Sequence, residues 1–234
     1  KNAFSGTGIE SRADGVVYAG NWLISVKDKT MKNRQVQDGT VGIADSAFLE
    51  CEAFDDTFTL PDSVKIVGDS AFSGCKALIN FVLGSGATEI GERAFEKCTG
   101  LSIAVLGGLD LNREDLLGAS SLQVIGSYAF SGCTSLKEIT IPESVEEIKL
   151  YAFRSSALWE SAVGAVYAGN WLVGFQADTL FGSLAIKEGT VGIADYAFYN
   201  AERMTSVTIP DSVKTIGRSA FYKCASLTSV ILPQ

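Results

Sequence analysis

The chain has 234 residues, 47% hydrophobic and 20% charged, which suits an ordered protein with a buried core. A net charge of −8 without any basic stripe argues against nucleic acid as a partner and against adsorption to an anionic membrane. Histidine is absent, so the commonest general base and metal ligand are gone, and neither an enzyme nor a metal or cofactor is expected.

No apolar run reaches the roughly 18–20 residues of a membrane span, so no membrane insertion is expected. The N-terminal stretch from Lys1 lacks the apolar segment of a secretory signal. The first repeated feature is the dipeptide ending at Phe4. Val17-Tyr-Ala-Gly-Asn-Trp-Leu23 follows, with Gly20-Asn21 between β-formers, the signal for a two-residue hairpin turn. After Gly39-Thr-Val-Gly-Ile-Ala-Asp45, Ala-Phe returns at Phe48, Phe72, Phe95, Phe130, Phe153, Phe198 and Phe221, with spacings of 24, 23, 35, 23, 45 and 23 from Phe48 onward. The base period is 23.

Around each Phe one pattern recurs. Five and eight residues before it stand apolar side chains, as in Val64/Val67, Leu122/Ile125, Val145/Ile148 and Val213/Ile216. Gly68, Gly91, Gly126 and Gly217 lie four before, and Cys51, Cys75, Cys98, Cys133 and Cys224 three after. An alternating apolar run closed by Pro then reads as a short half-buried strand, as at Leu136–Pro142 and Leu227–Pro233. One such coil cannot bury its own apolar positions, whereas stacked coils set Phe on Phe and Cys on Cys. The expected fold is a right-handed solenoid of short parallel strands with helical or 3₁₀ turns at Ala-Phe, in roughly ten units.

Longer repeats overlie the short one. Val17–Leu23 recurs as Val166–Leu172, Gly39–Asp45 as Gly189–Asp195 and Pro61–Lys65 as Pro210–Lys214, so 1–85 and 150–234 are copies of one block. The segment 107–118 interrupts the array; Asn112, with Asp115 three residues on, suits a short capped helix, while the Gly and Glu of a calcium loop are missing. The array opens inside a coil and stops at Leu232-Pro233-Gln234 without a recognisable polar cap. The 1–234 domain is therefore expected to be part of a longer protein, or to have its ends covered by a partner.

The motif Val-x-x-Ile-Gly-x-x-Ala-Phe-x-x-Cys-x-x-Leu-x-x-Ile-x-Ile-Pro, clearest at Leu122–Pro142, resembles the BspA-like leucine-rich repeats, also called the Treponema pallidum type. Ser156 and Ala201 depart from it in place of Cys, and Lys149 in place of Gly. The resemblance implies secreted or cell-surface proteins, several of them adhesins, and no catalytic residues.

Candidate sites follow from the register. The Phe column (Phe48, Phe72, Phe95, Phe130, Phe153, Phe198, Phe221) and the five cysteines form a structural ladder. The cysteines lie a whole repeat apart, unlike the short spacings of zinc sites, and read as buried thiols. Trp22 and Trp171, beside Tyr18 and Tyr167, are either exposed anchors for a partner or plugs in the core; the plug is the favoured reading. Trp159 has no repeat counterpart. If Leu136, Ile139 and Ile141 point inward, Glu138 and Thr140 point out. The equivalent outward positions build a neutral strip of Thr59, Val82, Val105, Thr140, Thr208 and Ile231. Plain β-propensity accounts for that strip as well as a binding face does. The expected function is a non-catalytic binding module for a host or extracellular protein or a glycan, or else a structural spacer. Neighbouring acids such as Asp55-Asp56 and Glu146-Glu147 read as solvated turns rather than a catalytic pair.

Overall fold

The computed structural model describes residues 15–30, 32, 35–108, 120–176 and 182–232. Phe4 and the 109–118 part of the insertion, with its expected helix, lie outside them.

The chain forms a β-solenoid. Most coils contribute a two-residue strand, the Ala-Phe turn and a second, longer strand. Before the second hairpin the short strands are β3 (Gly42–Ile43), β5 (Ile66–Val67), β7 (Glu89–Ile90), β9 (Val124–Ile125) and β11 (Glu147–Ile148). They pair in parallel and are headed by β1 (Val16–Ala19) and β2 (Trp22–Val26), which form an antiparallel hairpin. The longer strands β4 (Thr57–Thr59), β6 (Asn80–Leu83), β8 (Ile103–Leu106) and β10 (Glu138–Thr140) make a second, wholly parallel sheet. A four-residue helix, α1 (Ala157–Glu160), then leads into the second hairpin, β12 (Ala165–Ala168) and β13 (Trp171–Phe175). β13 continues in parallel to β15 (Gly192–Ile193) and β17 (Thr215–Ile216). The last sheet holds β14 (Gly182–Ala185), β16 (Met204–Thr208) and β18 (Ser229–Ile231).

The longer strands stand where the alternating runs place them. The stack of two-residue strands is a finding beyond that expectation, since two residues carry no readable alternation. Only the second residue faces inward: Ile43, Val67, Ile90 and Ile125 are all buried.

The Ala-Phe turns link coils by backbone bonds as well. Ala47, Leu49 and Cys51 donate to the carbonyls three residues back, the 3₁₀ pattern. The intervening N–H groups of Ser46, Phe48 and Glu50 donate instead to Asp69, Ala71 and Ser73 of the next coil. Left-handed residues two before and two after Phe make this alternation possible, for example Ser46 and Glu50 (φ 59° and 54°), and they prevent a continuous helix. All three faces of a coil are thus hydrogen-bonded to its neighbours.

Inside, the Phe rings stack in one column. Phe72–Phe95 and Phe95–Phe130 centroids are both 5.0 Å apart and within 1° of parallel, and Phe130–Phe153 is 5.3 Å. The column stops at the second hairpin, where Phe175 takes the next place against Phe198 (5.4 Å), and Phe221 follows at 4.9 Å.

Phe130 is fully buried between two ring faces, so Phe130→Ala is expected to cost about 3–5 kcal/mol, read as a shift in the urea unfolding midpoint. A near-unchanged midpoint would remove the Phe column as the source of coil cohesion.

Candidate binding surface and the hairpin joints

The outward strand positions come together in rows. Thr59, Val82, Val105 and Thr140 are Cα partners across β4, β6, β8 and β10, and Thr57, Asn80, Ile103 and Glu138 form the adjacent row. Phe58, Phe81, Ala104 and Ile139, between them in sequence, are buried, which confirms the inward/outward parity. In the last sheet Thr208 pairs with Ile231 on one side and with Ala185 on the other. The six residues of the expected strip therefore occupy two rows rather than one. Val82, flanked by Thr59 and Val105, is itself buried, while Thr59, Glu138, Thr208 and Ile231 are exposed.

At the C-terminal end of β4 and β6 the first row opens into a cleft of about 500 Å³. Asp38, Thr59, Pro61, Asp62, Val82 and Gly108 line it. The Asp62 carboxylate already accepts the Ser85 N–H at 2.7 Å.

None of the five cysteines forms a disulfide. Cys75, Cys98 and Cys133 donate to the carbonyls of Phe48, Phe72 and Phe95 at 3.0–3.1 Å, and Cys224 to Phe198 at 3.2 Å. Each of these four thiols thus ties its coil to the previous Phe. Burial raises the Cys75 and Cys98 thiols well above the ordinary range and raises the half-buried Cys224 as well. Among the described residues no group of three or more His, Cys, Asp or Glu side chains is placed to hold a metal.

The departures from the pattern have local causes. Ser156, in a Cys position, donates to the Phe153 carbonyl at 2.7 Å and accepts the Trp159 N–H at 3.3 Å, capping α1. Trp159 packs over Gly174, where an added Cβ would collide with its ring. Sequence reasoning also missed an aspartate ladder. Asp45, Asp69 and Asp195, each three before Phe, accept the backbone N–H of Asp69, Glu92 and Arg218 in the next coil. The recurrence of Asp at that offset is the signal that could have revealed it.

Both hairpins turn at glycine with left-handed φ, Gly20 (58°) and Gly169 (55°), as a two-residue turn requires. Tyr18 and Tyr167 accept the backbone N–H of Gln37 and Lys187 through their hydroxyls, both at 3.0 Å, so these tyrosines anchor loops. The tryptophan rings lie on glycines: a Cβ on Gly42 would stand 2.5 Å from Trp22, and one on Gly192 the same distance from Trp171. The plug reading holds for Trp171, which is buried; Trp22 remains exposed on its other side.

Two measurements check these contacts. Trp171 is enclosed and Trp22 can swing outward, so Gly192→Ala is expected to lower stability by about 1–3 kcal/mol and Gly42→Ala by less. Equal losses in denaturant melts would contradict the difference in enclosure. In thiol titration of the native protein with a disulfide reagent, Cys224 should react well before Cys75 and Cys98, whose thiolate forms are suppressed by burial. Equally rapid reaction of Cys75 or Cys98 would contradict their enclosure.

A family profile described as "BspA type Leucine rich repeat region", in six copies, matches residues 27–110, 112–164 and 174–234. No curated protein matches the sequence significantly. Among solved structures, a T. pallidum leucine-rich repeat protein is similar at 27% identity and TM-score 0.53, over 88% of this chain and 82% of that one. A leucine-rich repeat protein from Bacteroides ovatus aligns at 20% identity and TM-score 0.47, over 90% of this chain and 64% of the other. A leucine rich cell surface protein from Faecalibacterium prausnitzii aligns at 19% identity and TM-score 0.37, over 94% and 77%. The chain belongs to the BspA-type leucine-rich-repeat family.

Proposed function

We propose that this chain is a non-catalytic binding module, secreted or held at a cell surface, that takes a host or extracellular protein or a glycan on the outward face of its longer strands. The supporting observation is the in-register row Thr59–Val82–Val105–Thr140. It is a neutral, β-branched strip on an acidic molecule, continuous with the cleft at Thr59 and Val82. Uncharged centres with polar margins are what protein interfaces use, and Glu138 supplies a charged edge. The extracellular location rests on the family. Absence of catalysis is read from the missing histidine.

The test is a binding screen of the chain against matrix proteins, mucins and a glycan array, beside the double variant Thr140→Arg/Thr208→Arg. Binding that weakens about tenfold or more in the variant supports recognition on these rows. Binding that survives unchanged moves the site elsewhere. Failure of both proteins to bind favours the second reading, a spacer that carries other domains, for which the uniformity of the outward row from coil to coil speaks.

A further inference from the structure

The internal duplication supplies its own comparison on the face formed by the Ala-Phe turns. Gly39–Asp45 and Gly189–Asp195 are identical, and the buried pairs Ala47-Phe48 and Ala71-Phe72 recur as Ala197-Phe198 and Ala220-Phe221. The outward positions around them do not recur. Ser46, Leu49 and Ser73 become Tyr196, Tyr199 and Tyr222, while Glu50 and Gly74 become Asn200 and Lys223, and Asp69 becomes Arg218. From three before to two after each Phe, the first copy's two turns hold Asp45, Glu50 and Asp69 and no cation. The second copy's hold Asp195, Arg218 and Lys223. Core packing does not require the change, since the buried residues are the same.

The replacing side chains gather into one cluster. Tyr199 and Tyr222 have ring centroids 5.9 Å apart and 29° from parallel, and Tyr196 meets them at 6.3 and 6.4 Å. The Lys223 ammonium lies 5.5 and 5.7 Å from the Tyr199 and Tyr222 centroids and donates to the Tyr199 hydroxyl at 3.4 Å. Of the acids nearby, Asp195 is buried against the Arg218 N–H, and Glu202 acts on Lys223 from just beyond the turn. Arg218 and Lys223 are both exposed. This face stays open inside the stack: Ser73, Glu96 and Ser131 hold the Tyr222 position in coils flanked on both sides, and none of the three is buried.

We propose that the tyrosine–lysine cluster is a second binding surface, separate from the strand rows, and that it takes an acidic segment of a partner protein. Charge sets the sign: Arg218 and Lys223 attract carboxylates on a molecule whose net charge of −8 repels them elsewhere. Side-chain type sets the class, since Tyr and Arg are the residues on which protein interfaces concentrate their binding energy. A glycan would stack on free ring faces. Tyr199 and Tyr222 turn ring faces to each other and to Lys223, so edges and hydroxyls meet the partner, and these suit peptide carbonyls and carboxylates.

Fluorescence anisotropy of a labelled glutamate–tyrosine copolymer tests this, at about 0.15 M salt so that charges beyond about 8 Å are screened. The wild type should bind, and Tyr199→Leu/Tyr222→Ser/Lys223→Gly should bind at least about tenfold more weakly. The three substitutes are the residues that the same turns carry in the first copy, so the coils are expected to fold, which circular-dichroism melts check. If the triple variant melts early, Lys223→Glu alone takes its place, with the same loss expected. Thr140→Arg/Thr208→Arg, on the strand rows, should bind the copolymer no more weakly than the wild type, which separates the two surfaces. A wild type that does not bind, a cluster variant that binds equally well, or tighter cluster-dependent binding of an acidic polysaccharide such as polygalacturonate would each overturn the proposal.

Discussion

A coil of this protein cannot complete its own backbone hydrogen bonds, and everything else follows from that. Two of its faces are strands too short to pair internally, and the third is a turn whose alternate N–H groups point to the next coil. Satisfying those groups requires a neighbour displaced by one repeat. The left-handed residues on either side of each Phe are the geometric cost of aiming the N–H groups outward. With the coils held at that distance, the Phe rings lie near-parallel and the thiols reach the preceding Phe carbonyls. The side-chain columns therefore reinforce a spacing that the backbone sets.

The hairpins solve a different problem. A coil stack offers an edge, and an antiparallel pair can run along it while one strand goes on into the parallel ladder, as β2 does to β3 and β13 to β15. Glycine beneath each indole lets a bulky ring lie flat at that transition. Aromatic residues at hairpin turns are often read as ligand anchors. Here Tyr18 and Tyr167 are committed to loop N–H groups, and Trp171 to packing between neighbouring coils.

Much of this was legible in the residues, for a physical reason: side chains that stack on their own copies must recur at one spacing. Phe, Cys and the alternating apolar runs do so, and the parity of the outward rows follows once a strand is placed. The two-residue strands were not legible, because a pair such as Glu89-Ile90 shows no period. Nor were the aspartate links, since one acid in a polar turn looks solvated until its carboxylate is seen to meet the next coil's N–H. Ser156, in a Cys position, and Trp159, which has no repeat counterpart, acquire meaning only together, as cap and cover of the hairpin entrance. The candidate surface was half legible: the residues were named, but the burial of Val82 and the division into two rows depend on the neighbours each strand acquires.

The placement of β13 has a consequence for cooperativity. Its successive side chains enter different apolar clusters, Trp171 and Val173 on the side of the first block, Leu172 and Phe175 on the side of Phe198 and Met204. The strand is therefore a wall shared by two cores, and it interrupts the aromatic column that would otherwise couple them ring to ring. Repeat arrays behave as nearest-neighbour chains, in which a weak interface lets one part open while the rest stays closed. The second hairpin makes the region beyond it a separate foldon, able to lose protection against amide exchange while the longer column of Phe48 to Phe153 keeps it.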